Sequence, residues 1–251
     1  MVNSRRCRER FTFVLIHGAW HAGSVFGPVA AHLRSAGHDV HAPTLAGHGP
    51  DADPDVSLDE AVDSLVDYVE SRKLCDVVLV GWSLGGVFVS AAASRIRDRI
   101  ARVMFHSALV LRDGETAYDA LPPKAAEAFR GLARGGVIEL PRAMHRDVFV
   151  PGADRVAAER LYREHVHPQP ERLVDTPAAG MNEFVELVAG GLPTSYILSP
   201  DDIVMPPGKW GWQRFLNRLG SPRTIHLTGG HAPMLTAPAE TATAYVLAGR
   251  A

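Results

Sequence analysis

Cysteine is almost missing from this chain: its 251 residues hold only Cys7 and Cys75. One lies in an arginine-rich stretch and the other ahead of a strand, which is no disulfide framework and points to a reducing, cytoplasmic setting. An excess of either charge is missing too, since 26 Lys+Arg face 28 Asp+Glu for a formal net charge of -2. Nothing here offers a basic footprint for nucleic acid or a polybasic patch for an anionic membrane. No apolar run approaches the ~18–20 residues needed to span a bilayer. The run after Arg5, Arg6, Arg8 and Arg10, Phe11 to Ile16, is too short for the hydrophobic part of a signal peptide. Neither a G-x-G-x-x-G loop nor a Walker-type loop occurs, so no nucleotide cofactor is implied. Repeats and low-complexity tracts are lacking as well. What remains, with 46% hydrophobic and 22% charged residues, suits a single domain with one sizeable core.

Strands and helices alternate along the sequence. Phe11–Ile16 and Val77–Val80 are apolar throughout, as expected of strands buried between two helical layers. Weaker strand signals fall at Asp39–Ala42, Ile100–Leu109, Thr194–Leu198 and Arg223–Leu227. Helices are expected at Val25–Arg34, Ser57–Lys73, Leu84–Arg95, Trp210–Leu219 and Ala239–Leu247. The second of these opens on a capping box, Ser57 with Glu60. This alternation predicts right-handed crossovers and a mainly parallel sheet of about six strands. Between about Arg112 and Gly191 the pattern breaks. Only short helical segments occur there, at Lys124–Arg134, Asp154–Glu164 and Asn182–Ala189, so residues 112–191 are expected to form an inserted helical cap.

Gly81-Trp82-Ser83-Leu84-Gly85-Gly86 stands where a buried strand gives way to a helix, the setting of a G-x-S-x-G nucleophile elbow. Glycines allow the sharp turn that lifts a serine hydroxyl above a sheet. The helix start behind it offers free N–H groups to a developing oxyanion. A serine alcohol needs a base, and of twelve histidines His231 alone follows the last expected strand, at the same sheet edge as Ser83. A carboxylate must hold that imidazole, and Asp201 and Asp202 both follow strand Thr194–Leu198. Asp202 is preferred, though spacing alone leaves both open. The order Ser83…Asp202…His231 is the one α/β-hydrolases use. The loop after the first strand, His17 to Gly23, would supply the second oxyanion donor, so the N–H groups of Ala19 and Leu84 are the expected pair. His17 itself reads as a structural hydrogen-bonding residue.

These motifs carry a resemblance. The chain looks like the α/β-hydrolase superfamily, and within it the branch of plant methylesterases, hydroxynitrile lyases and bacterial esterase relatives. The matching residues are Phe13–Trp20, Leu45–Gly49, Gly81–Gly86, Arg112–Thr116, Asp202–Met205 with Pro206, and Gly229–Leu235. In that branch the acid lies four residues before a proline, which maps onto Asp202 and Pro206, and the oxyanion donors map onto Ala19 and Leu84. The lyases carry a threonine in the oxyanion loop and a lysine after the histidine, where this chain has Gly18 and Ala232. Ser107 stands where relatives often have an aspartate. Relatives with an aspartate nucleophile are disfavoured by Ser83.

His145 with His165-Val-His167 could suggest a metal, but no Cys or carboxylate neighbours stand at ligand spacing, and a solvated cap face is the plainer expectation. Trp20 and Trp82 flank the oxyanion loop and the elbow and, with Ser107, are candidate pocket residues. Trp210 and Trp212 read as packing. Apolar cap residues Leu121, Phe129, Leu132, Val148, Phe149, Phe184 and Leu187 suggest a hydrophobic acyl or alcohol part. The expectation is a single-domain α/β-hydrolase, without cofactor or metal, acting on a small-molecule ester as a monomer or homodimer. The same residues could serve lactone opening, C–C cleavage or cyclisation, and a binding protein on this scaffold is the remaining rival.

Overall fold

The computed structural model describes residues 10–50 and 53–250. Cys7 and the arginines Arg5, Arg6 and Arg8 lie outside the described residues. In chain order the elements are β1 (Thr12–Ile16), α1 (Gly27–Ser35), β2 (Asp39–His41), α2 (Leu58–Ser71), β3 (Val77–Trp82), α3 (Gly85–Arg95) and β4 (Ile100–His106). Residues 112–191 then contribute α4 (Pro123–Leu132), β5 (Val137–Ile138), α5 (Arg142–Met144), α6 (Arg155–His165), β6 (Gln169–Pro170), α7 (Arg172–Asp175) and α8 (Met181–Ala189). The chain closes with β7 (Thr194–Leu198), α9 (Gln213–Arg218), β8 (Arg223–His226), α10 (Pro233–Thr236) and α11 (Pro238–Gly249).

Six strands form one sheet in the order β2-β1-β3-β4-β7-β8, and every pairing is parallel. The unbroken apolar runs of β1 and β3 follow from this. Phe13 and Leu15 point into the layer with α1 and α11, while Val14 and Ile16 point into the layer with α2 and α3. Val78 and Val80 share the first layer, Val77 and Leu79 the second. A strand covered on both faces has no polar side to show.

Local signals place the elements and their ends. Ser57 Oγ accepts the Glu60 N–H at 3.2 Å and the Glu60 carboxylate accepts the Ser57 N–H at 2.8 Å, so the capping box fixes the start of α2. Strand β4 stops at His106, short of the expected Leu109, because Ser107 turns the chain with φ 39°. Helix α9 is shorter than Trp210–Leu219 because glycines 208 and 211 hold the chain before it in turns. Residues 112–191 also hold a two-stranded antiparallel ribbon, β5 with β6, where no strand was expected. Two residues per strand, one of them Pro170, are too few to leave a period in the sequence. No helix among the described residues is long and apolar enough to cross a membrane.

Candidate active site

The parallel sheet brings the ends of β3, β7 and β8 to one edge, and the candidate residues meet there. Ser83 follows β3 in the left-handed region, with φ 55°. Such a turn requires tight packing on both sides. A Cβ on Gly81 would meet the Gly85 carbonyl oxygen at 2.7 Å, and one on Gly85 would meet the Ile16 carbonyl oxygen at 2.6 Å. Only hydrogen fits at either site, so these glycines are what let the strained serine exist. Its backbone is clamped to the end of the next strand and the turn after it, with Ser83 N–H donating to His106 O at 3.2 Å and Leu109 N–H to Ser83 O at 3.0 Å.

His231 Nε2 lies 2.9 Å from Ser83 Oγ, and its Nδ1 lies 2.7 Å from Asp202 Oδ2. With Nδ1–H donating to the carboxylate, Nε2 is left to accept the serine proton. The second carboxylate oxygen of Asp202 accepts the Val204 N–H at 3.0 Å. Burial, the largest single influence, pushes the Asp202 carboxyl up. The charge and hydrogen bond of His231, the Val204 N–H and the Ser107 hydroxyl together outweigh it and hold the group below its ordinary value. Asp201, the alternative left open by spacing, is exposed and among the described residues reaches only the Gly229 N–H, at 3.3 Å.

Three aromatic rings enclose the imidazole. Trp212 stacks on it at 5.5 Å and 8°, Phe149 meets it edge-on at 4.9 Å, and Trp82 lies at 5.2 Å. Trp82 Nε1 also donates to the His231 carbonyl at 2.8 Å, tying the histidine loop to the elbow.

The Ala19 and Leu84 N–H groups have no partner among the described residues. His17 aligns the first of them. Its Nε2 accepts the Leu45 N–H at 3.2 Å, so its Nδ1 carries the proton and donates to Gly18 O at 3.1 Å. That carbonyl shares its peptide plane with the Ala19 N–H. Burial lowers the His17 pKa well below the usual value, which keeps this tautomer neutral. Trp20 anchors the same loop to the insertion, donating from Nε1 to Ile138 O at 3.0 Å and from its backbone to Gln169 at 3.1 Å.

The chain matches the alpha/beta hydrolase family over residues 13–244. It belongs to that family. A solved extracellular α/β-hydrolase from a Paenibacillus species, described as sharing structural and functional homology with tobacco salicylic acid binding protein 2, superposes with a TM-score of 0.91. That match has 32% identity and covers 96% of this chain and 100% of the other. The carbendazim hydrolyzing esterase of Nocardioides sp. is 37% identical over 126 residues, 47% of this chain and 52% of that protein. Methyl jasmonate esterase 1 of Vitis vinifera is 40% identical over 105 residues, 40% of each chain. The aligned stretches span about half or less of these two curated relatives.

Beside Ser83 lies a cavity of about 70 Å³ that opens to solvent. Trp20 lines it, as do Leu121, Phe129 and Phe149 of the insertion. Other expected pocket residues do not. Trp82 and Ser107 are fully buried behind the site, the first holding His231 and the second facing Asp202. Leu132 is exposed, Phe184 packs into the core, and Val148 and Leu187 pack against the two core layers. Trp212, read from sequence as packing, is a wall residue, and Tyr118, Val204 and Met205 were not anticipated. Nothing in a single sequence marks them, because they come from loops whose folding decides the contact. His145 is likewise not on a solvated face. It is fully buried, stacks on Phe149 at 6.2 Å, and neither ring nitrogen has a partner among the described residues. Among the described residues no group of three or more His, Cys, Asp or Glu side chains could hold a metal.

Proposed function

We propose that this hydrolase is a serine carboxylesterase that works without a cofactor through an acyl-enzyme. The observation that carries the reading is the unbroken hydrogen-bonded path from Ser83 Oγ through His231 to Asp202, opening on an apolar cavity. In it Ser83 Oγ bonds to the ester carbonyl carbon while His231 Nε2 takes the hydroxyl proton. Asp202 keeps the imidazole oriented and stabilises its charged form. The carbonyl oxygen, now an oxyanion, accepts from the Ala19 and Leu84 N–H groups. Collapse breaks the bond to the alkoxy oxygen, which leaves with the proton returned by His231. Water then repeats the sequence on the acyl-enzyme, releasing the acid and restoring Ser83.

Hydrocarbon dominates the cavity wall, which supports an uncharged, partly hydrophobic ester of small to medium size. Residues 112–191 act as the cap that supplies much of that wall. Relatives named as esterases support the same chemistry. Lyase chemistry is disfavoured at two positions. Ala232 brings no charge beside the histidine, and a Cβ on Gly18 would press on Ser83 Cβ at 2.7 Å, where lyases of this branch carry threonine. The free, exposed Cys75 supports a reducing cytoplasmic setting.

A fluorophosphonate probe followed by peptide mapping is expected to label Ser83 and no other serine. Failure of Ser83 to label in folded protein sinks the serine mechanism. A p-nitrophenyl ester series is expected to favour medium acyl chains over acetate, and a flat profile removes the hydrophobic-acyl assignment.

A further inference from the structure

We propose that the cavity is built for an ester bearing a second, uncharged hydrogen-bond-accepting oxygen, received by Tyr118 and Trp212. This rests on the esterase reading above. Apart from Ser83 and His231, only three side chains lining the cavity carry a nitrogen or oxygen among the described residues: Trp20, Tyr118 and Trp212. Trp20 Nε1 is committed to Ile138 O. The other two are uncommitted, for neither Tyr118 Oη nor Trp212 Nε1 has a hydrogen-bond partner among the described residues, and both atoms are buried. The residues themselves are only 3% and 4% exposed.

Unpartnered buried polar groups are rare in folded proteins, and two in one cavity wall ask for an explanation. A lone water in the cavity would find few polar partners, since apart from Ser83 and His231 only Trp20, Tyr118 and Trp212 bring a side-chain nitrogen or oxygen to its lining among the described residues. A ligand oxygen meets the need directly. Both groups are donors. An indole N–H can do nothing else. The Tyr118 hydroxyl stays protonated, because burial first, then Glu171 and Asp175 against the opposing Arg130, push it up to about 12.

Both donors are also held in place before any ligand arrives. Trp212 lies flat against His231, beside the reacting centre. Tyr118 sits in a turn closed by Thr116 and Asp119, whose side chains each accept the other's N–H, at 2.9 and 3.1 Å. The Arg130 guanidinium covers its ring at 4.3 Å. Among the described residues no cation lines the cavity, so the extra oxygen belongs to a neutral group such as a ketone, ether or hydroxyl and not to a carboxylate.

The test compares p-nitrophenyl hexanoate with the same ester carrying one ketone at each position beyond the α-carbon. At one position or more, kcat/KM is expected to exceed that of the plain ester by about tenfold, the worth of one hydrogen bond to an otherwise unpaired buried donor. That preference is expected to fall toward unity in Tyr118→Phe or Trp212→Phe. The first removes only an unpartnered hydroxyl, so its Tm should match or exceed the wild type, and the second keeps a ring against His231. Turnover of plain hexanoate with no ketone preferred overturns this inference and leaves the esterase reading standing. A preference that survives both substitutions overturns it too. If neither ester is cleaved and Ser83 takes no fluorophosphonate, both readings fall together.

Discussion

Asp201 and Asp202 are neighbours in sequence and differ in almost every physical respect that bears on a proton relay. Asp202 is buried and accepts from His231 Nδ1 and from the Val204 N–H, while Asp201 is exposed and accepts one long bond from Gly229. Asp202→Asn would present an amide to Nδ1 and favour the tautomer in which Nε2 carries the proton. Ser83 would then lose its base, and turnover is expected to drop on the order of 10⁴-fold. Asp201→Asn keeps a carbonyl oxygen for Gly229 and should change kcat by less than about threefold, as expected for a surface position. Steady-state kinetics of the two variants decides between them, and equal losses would overturn the acid assignment. The sequence left this choice open because both aspartates follow the same strand. Only the turn they enter, with Asp202 N–H bonded to Ser199 O, selects which carboxylate faces the histidine.

Elements differ in how much of themselves a sequence displays. The strands of the sheet were readable because β1 and β3 are apolar on both faces, and α2 because Ser57 and Glu60 declare its start. The ends of β4 and α9 were not, since Ser107 and the glycines before α9 act through backbone angles that residue names do not specify. The cavity was hardest to read, because its wall joins the loop after β1, the turn after β4, residues 112–191 and the loop before α9. Close approach between elements is just as silent in sequence, yet testable. A Cβ on Gly86 in α3 would lie 2.2 Å from the Leu109 carbonyl oxygen, while one on Gly131 in α4 meets nothing within 4 Å. Gly86→Ala should therefore destabilise by about 1–3 kcal/mol or more, since backbone has to move. Gly131→Ala, on an exposed helix surface, should stabilise by about 0.5–1 kcal/mol. Urea unfolding of both variants measures the contrast, and similar values for the two would contradict the α3 contact.

Across the whole molecule, histidine burial sets how the fold responds to acid. His17, His21, His106 and His145 are fully buried and His48 nearly so. Desolvation, the leading cause in every case, lowers all five, to about 4 for His48 and His145, to about 3 for His106, and well below the usual value for His17 and His21. An unfolded histidine titrates near ~6.5. Below that pH the unfolded chain takes up protons that the folded chain refuses, so stability falls as pH falls through this range. Each such histidine contributes up to about 1.4 kcal/mol per pH unit. Asp202 works in a separate window, because its stabilising contribution is lost only below the ordinary carboxylate range, near ~3.9 and under. Glu60 and Glu115 are also held below their ordinary value and lose their contribution under about pH 5, so the interval from about pH 6.5 to 5 isolates the histidines. Five of them acting together can consume a typical stability of ~5–15 kcal/mol within two pH units. Acid unfolding is expected with a midpoint above about pH 4, accompanied by uptake of several protons per molecule. Urea titrations at a series of pH values between neutrality and the midpoint give the slope. His106→Gln should flatten that slope by one proton's worth, since it removes a buried group that must charge on unfolding. A stability that stays level from pH 7 to 5 would show that these histidines are hydrated or already protonated in the folded chain.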